Sequence, residues 1–156
     1  MQATKILLAS DHRGIGVRAL IIDYLLPLPQ YDVWMFNDEF PEYPDYPDIA
    51  AYAAKALSEG HSHRAILICG TGIGMTVAAN KFPGIRAAAC QNAVVAELSR
   101  KHNDSNILCL SGDLLGETSS VGIVAAWLAT PFEGGKHRSR LEKIRLIENQ
   151  NYVHRL

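Results

Sequence analysis

The chain has 156 residues, 48% of them hydrophobic, and a formal net charge of −1, which fits one globular domain with an ordinary core. The nearly balanced charge gives no reason to expect a nucleic-acid or anionic-membrane partner, and no apolar run is long enough to span a bilayer. The N-terminus lacks the layout of a signal peptide, so we expect a single cytoplasmic domain over residues 1–156.

Two kinds of apolar segment alternate along the chain. Short β-like runs are each followed by a turn and then by a segment with the apolar spacing of a helix. The predicted strands are residues 5–9, 31–36, 65–69, 85–90 and 106–110. The predicted helices are residues 17–26, 49–57, 75–82, 93–101, 119–128 and 138–149. This alternation predicts a three-layer αβα fold with a parallel sheet of five strands.

The last predicted helix lies within residues 136–150 and is additional to the five βα units. It is strongly charged and has only a narrow apolar stripe, formed by Leu141, Ile144 and Ile147. A stripe this narrow is typical of a helix that covers a small apolar surface. We therefore expect this C-terminal helix to pack on a partner subunit.

Distinctive polar residues stand where a ligand would bind. In parallel α/β sheets the ligand lies beyond the carboxyl ends of the strands. Asp11 and His12 follow the first strand, and Asp45 and Tyr46 precede the second helix. The segment 69–74, Cys-Gly-Thr-Gly-Ile-Gly, follows the third strand. These residues are predicted to meet at one edge of the sheet.

The cysteine and glycines of segment 69–74 combine two chemical features. A glycine loop at the start of a helix directs several backbone N–H groups at one spot, where an anion is favoured. A cysteine at the mouth of such a loop stands where a thiolate is stabilised. The chain has three cysteines, far apart in sequence, which argues against a disulfide framework. Cys90 and Cys109 are expected to be buried thiols, whereas Cys69 is a candidate base or nucleophile.

Two phosphate-binding alternatives fit the glycine loop poorly. Its spacing is G-x-G-x-G rather than the G-x-G-x-x-G of dinucleotide sites, and it follows the third strand, with no acidic residue at the end of the next strand. A P-loop is excluded because no Gly-Lys-Ser/Thr follows. A loop that binds a smaller anion remains, so a nicotinamide-dependent dehydrogenase is the weaker interpretation.

Two further segments are polar in a way that allows a structural or a functional interpretation. His102 lies in a polar segment that predicts a turn between a helix and the fifth strand, where a capping role and a catalytic role are equally compatible with the sequence. Residues 136–140 carry four potential cations after a glycine pair. Cations at a helix start oppose the helix dipole, which favours an anionic partner for them.

Together these residues resemble the ribose-5-phosphate isomerase B family, which includes the galactose-6-phosphate isomerase subunits. The similarity covers nearly the whole chain, and the Cys–Gly segment and the His-Asn-Asp segment are its most specific parts. The matching segments are residues 10–12, 45–48, 69–75, 78–81, 83–88, 99–100, 102–104 and 132–135.

The resemblance implies a flavodoxin- or Rossmann-like fold and an aldose–ketose isomerase that uses no metal and no cofactor. It also implies a homodimer, or a dimer of dimers, with active sites shared between subunits. The substrate would be a sugar phosphate, with D-ribose 5-phosphate and D-ribulose 5-phosphate as the first expectation. The site residues implied are, for catalysis, Cys69, Thr71, His102 and Asp11, and, for substrate binding, His12, Asp45, Tyr46, Gly70, Gly72, Ile73, Gly74, Asn103, Lys136 and Arg140.

The resemblance also implies a role for each group. By this resemblance, His102 would be the residue that opens the sugar ring. Cys69 would be the base that moves a proton between C2 and C1. The N–H groups of residues 70–74 would hold the anionic enediolate. Thr71 would move a hydroxyl proton or orient the sugar. His12, Lys136 and Arg140 would bind the phosphate, the last two from the partner subunit.

Two departures from the family pattern concern the phosphate. Asp113 stands where these isomerases usually have an arginine, and Lys136 replaces another arginine. Arg13 or Arg138 is a candidate for the missing charge. The alternatives are therefore an isomerase of another sugar phosphate (allose 6-phosphate, galactose 6-phosphate or a tetrose phosphate) and a sugar-binding module without turnover.

Overall fold

The protein folds into a five-stranded parallel sheet with helices on both faces, as the sequence predicts. The computed structural model describes residues 3–36 and 44–153, with the side chains of 117, 118, 152 and 153 excepted. The strands are β1 (Thr4–Ser10), β2 (Tyr31–Met35), β3 (Arg64–Cys69), β4 (Ala87–Ala89) and β5 (Ile107–Ser111). The helices are α1 (Ile15–Leu25), α2 (Tyr46–Ser58), α3 (Ile73–Ala79), α4 (Ala93–Asn103), α5 (Glu117–Ala129) and α6 (Lys136–Val153).

The strand order places a natural crevice between β1 and β3. The order across the sheet is β2-β1-β3-β5-β4, and every neighbouring pair is parallel. After β1 the chain first moves outward to β2 and then returns to the other side of β1 to form β3. Ligands of such sheets bind at this reversal, beyond the carboxyl ends of the strands.

Each face of the sheet has its own apolar core. Leu7 and Leu67 face the layer of α2 and α3, whereas Leu8 and Ile66 face the layer of α1, α4 and α5. All four side chains are fully buried, and a strand covered on both faces reads as a continuous apolar run in sequence. No helix among the described residues combines the length and the apolar character needed to cross a membrane.

Several element boundaries differ from the prediction. The helix α3 begins at Ile73, two residues early, because Gly72 adopts a left-handed conformation (φ 77°) that starts the helix. The strand β4 is only three residues long, since the N–H of Arg86 donates to Oδ1 of Asn106 (2.8 Å) rather than to a ladder. Residues 37–43, between β2 and α2, lie outside the described residues.

The helix α6 extends from Lys136 to Val153 and packs loosely against the rest of the chain. Its side chains Ile144 and Ile147 remain 48% and 59% exposed. A polar contact holds its C-terminal half in place: the carboxylate of Glu148 accepts a hydrogen bond from the N–H of Gly84 (3.0 Å). Two of the three side chains in the predicted apolar stripe are therefore exposed among the described residues, whereas Leu141 is half-buried.

Candidate active site

An open cleft of about 530 Å³ lies at the carboxyl edge of the sheet, over β1, β3 and β5. The sequence places polar side chains and glycines there because each of these three strands ends in a turn at the same edge. The residues that line it are Asp11, His12, Arg13, Tyr46, Cys69, Gly70, Thr71, Ile73, Gly74 and Asp113.

The Cys69 thiol receives a backbone hydrogen bond within this cleft. Cys69 is the last residue of β3 and is buried, and its Sγ accepts a hydrogen bond from the N–H of Gly72 at 3.2 Å. The turn requires glycine at position 72 for two reasons. Its φ of 77° is unfavourable for other residues, and a Cβ there would crowd the backbone of Leu110 at 3.1 Å. The contact between the Gly72 N–H and Sγ fixes the position of the sulfur at the mouth of the glycine loop.

The other two cysteines are buried away from the cleft. Burial raises the pKa of the Cys90 thiol, and complete burial raises the pKa of Cys109 to about 12. Both therefore stay protonated at neutral pH, in agreement with their predicted role as buried thiols. Cys69 is the cysteine that lines the cleft.

Some backbone N–H groups of the loop after Cys69 form hydrogen bonds within the loop itself. The N–H of Ile73 donates to Oγ1 of Thr71 (3.3 Å), and the N–H of Gly72 is directed at the Cys69 sulfur. The Thr76 hydroxyl donates to the carbonyl of Gly72 (2.8 Å) and holds the turn. Two of the donors expected for a bound anion are thus engaged inside the loop.

The acid and the aromatic ring of the cleft are fixed by their neighbours. Asp11 is buried, and its Oδ1 accepts a hydrogen bond from the N–H of Arg13 (2.9 Å). The Tyr46 ring lies against Gly74, where a Cβ would come within 2.7 Å of Cε2. Asp45 is the N-cap residue of α2 and is exposed beside Tyr46, but it does not line the cleft.

Asp113 faces the cleft and is paired with Arg13. Nη2 of Arg13 lies 2.5 Å from Oδ2 of Asp113, and Nε donates to Oδ1 at 3.2 Å. This side-on, two-point geometry is the strong form of an arginine–carboxylate contact. The hydrogen bond and the charge of Asp113 raise the pKa of Arg13.

A second polar cluster, formed by His102, Glu133 and His137, lies elsewhere on the protomer. The two imidazole rings stack with centroids 4.3 Å apart and an interplanar angle of 10°. Oε2 of Glu133 lies 3.9 Å from Nε2 of His102 and 3.5 Å from Nε2 of His137. Burial, followed by the neighbouring His102, lowers the pKa of His137.

Three ligand-type atoms in this cluster lie within 4.8 Å of one another, as a metal site would need. The nearly parallel rings argue against it, because the Nε2 lone pairs of two stacked imidazoles run parallel and do not converge on one ion. The cluster is better described as a set of polar and stacking contacts that hold the ring of His102.

His102 lies in a helix and not in the predicted turn. The helix α4 continues through Asn103 and ends at Asp104, whose φ of 45° and N–H bonds to the carbonyls of Ser99 and Arg100 close it. Nη1 of Arg100 also donates to Oδ1 of Asp104 (2.7 Å). His102 therefore projects from a rigid last turn.

Comparison with known proteins identifies the family. Residues 6–144 match the family model described as Ribose/Galactose Isomerase. The chain is 39% identical to ribose-5-phosphate isomerase B of Escherichia coli over 94% of this chain and 97% of that protein. It is 38% identical to D-erythrulose-4-phosphate isomerase of Pectobacterium atrosepticum (93% and 95%). A crystal structure of ribose-5-phosphate isomerase B from Mycoplasma genitalium with bound ribulose-5-phosphate superposes with a TM-score of 0.85 at 35% identity (96% and 99%).

The chain belongs to the ribose/galactose isomerase family. In this family member, the predicted site residues fall into two separate groups within the chain. Asp11, His12, Tyr46, Cys69 and the residues of loop 70–74 gather at the carboxyl edge of the sheet.

The second group lies at the opposite edge of the sheet. His102 and Asn103 end α4 and directly precede β5, so they lie where the strands begin. The N–H of Glu133 donates to the carbonyl of Lys101 (3.1 Å), which brings the segment before Lys136 to the same edge. Because β5 has five residues, at least roughly 15 Å separates the two groups in one protomer.

Sequence reasoning did not assign a role to Glu133 or His137 in this isomerase. The one sequence feature that pointed to this region was the pair Gly134 and Gly135. These glycines have positive φ values of 71° and 53° and turn the chain into α6. That turn places Glu133 beside His137, four residues further along the chain, and both beside His102. Neighbours on α4 and α6 could be paired only from the folded structure.

Proposed function

We propose that the protein is an aldose–ketose isomerase that interconverts D-ribose 5-phosphate and D-ribulose 5-phosphate. The main support for this proposal is the position of the Cys69 thiol. Its sulfur accepts a hydrogen bond from the N–H of Gly72 at 3.2 Å, inside a cleft lined by Asp11 and His12. A thiolate next to a sugar carbonyl acts as a base toward the adjacent carbon. Membership in the ribose/galactose isomerase family supports the same chemistry.

The reaction would proceed in two stages. His102 transfers a proton between the ring oxygen and the anomeric hydroxyl, which opens the sugar. Cys69 then removes the C2 proton of the open aldose, and the electron pair moves to the C1 oxygen as an enediolate. The same proton returns to C1 while the C2 hydroxyl passes its own proton, through the Thr71 hydroxyl, to the C1 oxygen, which gives the ketose. Backbone N–H groups of loop 70–74 that the loop does not itself use stabilise the anion.

A complete site would require two copies of the chain. Cys69 and His102 lie at opposite edges of one sheet, too far apart to act on one sugar. In a two-fold dimer the carboxyl edge of one protomer meets the opposite edge of its partner, and the uncovered stripe of α6 supplies an apolar contact. Lys136 and Arg140 would then reach the phosphate beside His12 of the other copy.

We place the enzyme in the cytoplasm, as part of carbohydrate metabolism. All three cysteines are free thiols, and a free catalytic thiol persists in a reducing compartment. No metal or cofactor is needed for the proposed steps, since a side-chain base and backbone donors suffice to move a carbon-bound proton.

One panel assay tests the function and its alternatives. Purified protein is incubated with tetrose, pentose and hexose substrates, each with and without phosphate, and the appearance of the isomer is followed. We expect the highest kcat/KM with ribose 5-phosphate. The Pectobacterium relative makes a tetrose phosphate the nearest competitor. Stabilisation by these ligands without turnover would instead indicate a sugar-binding module, and no turnover of any sugar phosphate would overturn the proposal.

A further inference from the structure

The ion pair between Arg13 and Asp113 joins two loops that are far apart in sequence. Arg13 belongs to the turn after β1 and Asp113 to the turn after β5, on either side of the Cys69–Gly70 turn. Both side chains line the cleft that contains the Cys69 thiol. They lie directly over Gly70, because a Cβ there would be 2.9 Å from Oδ2 of Asp113 and 3.1 Å from Nε of Arg13.

Glycines surround Arg13 and fix its backbone. A Cβ on Gly112 would lie 2.3 Å from the carbonyl oxygen of Arg13, and a Cβ on Gly14 would lie 2.6 Å from Cγ2 of Ile68. Any side chain at these positions would push the Arg13 turn out of place. The N–H of Arg13 is fixed as well, by its bond to Asp11. The position of Arg13 is therefore built into the cleft.

The guanidinium retains donors that face the cleft. Arginine carries five side-chain N–H donors, and the contact with Asp113 uses two of them, that of Nε and one of the two on Nη2. Among the described residues no other hydrogen bond engages this side chain, which stays 55% exposed at the cleft. The second N–H of Nη2 and both N–H groups of Nη1 remain available, and the fork between Nη1 and Nη2 suits a ligand with paired oxygen atoms.

We propose that Arg13 is an anion-binding residue of this cleft and donates to the phosphate of the bound sugar. The proposal rests on the proposed function for the identity of the ligand. Asp113 neutralises the positive charge of Arg13 but also fixes the orientation of its guanidinium. The phosphate would therefore be bound by oriented N–H donors rather than by the net charge of the pair. Arg13 follows His12 in the chain, so the two cleft residues would approach the same phosphate.

The rival explanation is that Arg13 only neutralises Asp113. A lone carboxylate beside a phosphate is repulsive, so Arg13→Gln alone would weaken phosphate binding under either explanation. The informative comparison is therefore between Asp113→Asn and the double variant Arg13→Gln/Asp113→Asn. Neither variant has the carboxylate, and they differ only in the guanidinium.

Calorimetric titration with inorganic phosphate measures this comparison without turnover. We expect the double variant to bind phosphate about tenfold more weakly than Asp113→Asn, the lower range for a charge-assisted hydrogen bond. Lys55→Gln/Asp113→Asn is the matched control, since Lys55 is a 71% exposed residue of α2 outside the cleft, and it should bind like Asp113→Asn. Equal affinities of Asp113→Asn and the double variant would overturn the proposal, as would a wild-type protein that binds no phosphate.

Steady-state kinetics on the best substrate of the panel gives a second readout. In the Asp113→Asn background, Arg13→Gln should raise KM for the phosphorylated sugar and leave kcat nearly unchanged, the pattern of a lost ground-state contact. An unchanged KM would contradict the proposal. If the wild type binds phosphate but isomerises no sugar phosphate, the proposed function fails while the anion-binding role of Arg13 is still decided by calorimetry.

Discussion

Cys69 is the residue on which the proposed chemistry depends most directly. Its sulfur is close to a backbone donor, and its neighbours Gly70 and Gly72 have no side chains that would block the cleft. A buried strand end supplies rigidity, while the following turn supplies access to substrate. These two properties meet at the last residue of a strand, which is where active-site residues of parallel sheets collect.

Replacement of this thiol should abolish turnover and spare the fold. In Cys69→Ala we expect kcat to fall by at least about a hundredfold, since a positioned base contributes roughly 10²–10⁴. Circular dichroism and thermal unfolding should remain close to wild type, because the change removes one small buried atom. Cys90→Ala, in the opposite core layer, is the matched control and should retain activity. Activity within tenfold of wild type in Cys69→Ala would remove the thiol from the mechanism.

His137 should make the stability of the protein depend on pH. Its side chain is buried against His102, near Glu133, Lys136 and Arg140, and its pKa is lowered from the ordinary value of 6.5. The unfolded chain therefore binds a proton near pH 6.5 that the folded chain does not bind until lower pH. Stability from this group is complete above about pH 6.5 and declines as the pH falls below it.

The measurement is the change in Tm between about pH 7.5 and about pH 5.5. The decrease should be smaller in His137→Phe, which keeps an aromatic ring against His102 but cannot titrate. His61→Gln, at an exposed histidine, should retain the wild-type decrease. An equal decrease in wild type and His137→Phe would show that the pH dependence arises elsewhere.

At the scale of elements, the turn between β3 and α3 shapes the cleft. Its left-handed glycine starts the helix, lies close to β5 and directs an N–H at the thiol. The turns after β1 and β5 pack around it through Gly14 and Gly112. Three successive parallel strands thus end in turns that can approach closely because they lack side chains at the contacts.

Gly72→Ala should destabilise the protein more than Gly60→Ala. Both glycines have φ near 75°, where alanine costs about 1–2 kcal/mol. A Cβ at Gly60 meets open space, whereas one at Gly72 would lie 3.1 Å from Leu110, which adds about 1 kcal/mol or more of crowding. Urea unfolding measures the difference. Equal losses would mean that Leu110 and its strand yield without cost.

At the scale of the whole molecule, the division of the site predicts complementation between inactive variants. Mixed dimers of Cys69→Ala and His102→Asn would contain one site with both residues intact. Random exchange of subunits makes about half of the dimers mixed, and each has one intact site of two, so activity should return to about a quarter of wild type. The assay is isomerase activity after subunit exchange.

A matched mixture tests the geometry. Cys69→Ala and Asp11→Asn affect the same cleft, so their mixed dimers contain no intact site and should remain inactive. If the first mixture also stays inactive, although native mass spectrometry detects mixed dimers, the site is not shared between subunits.

Much of the fold is determined locally and was therefore predictable. The alternation of apolar runs and helical spacing gave all five strands and six helices in their correct order, because these periodicities follow from the backbone geometry of each element. The same order placed Asp11, Cys69 and the glycine loop at one edge, since parallel strands end together. The boundaries of α3, α4 and β4 were wrong because left-handed residues and side-chain bonds set them.

The remaining features arise from contacts between distant segments. The Arg13–Asp113 pair joins residues one hundred positions apart, and the stack of His102 on His137 joins α4 to α6. Neither contact can be predicted from local periodicity, because each depends on which distant segments the folded chain brings together. The sequence by itself determined the layered fold and which chemical groups are candidates for the site. The tertiary structure decided that these groups lie at two opposite edges, because a strand end and the end of the helix preceding a strand cannot share an edge of a parallel sheet.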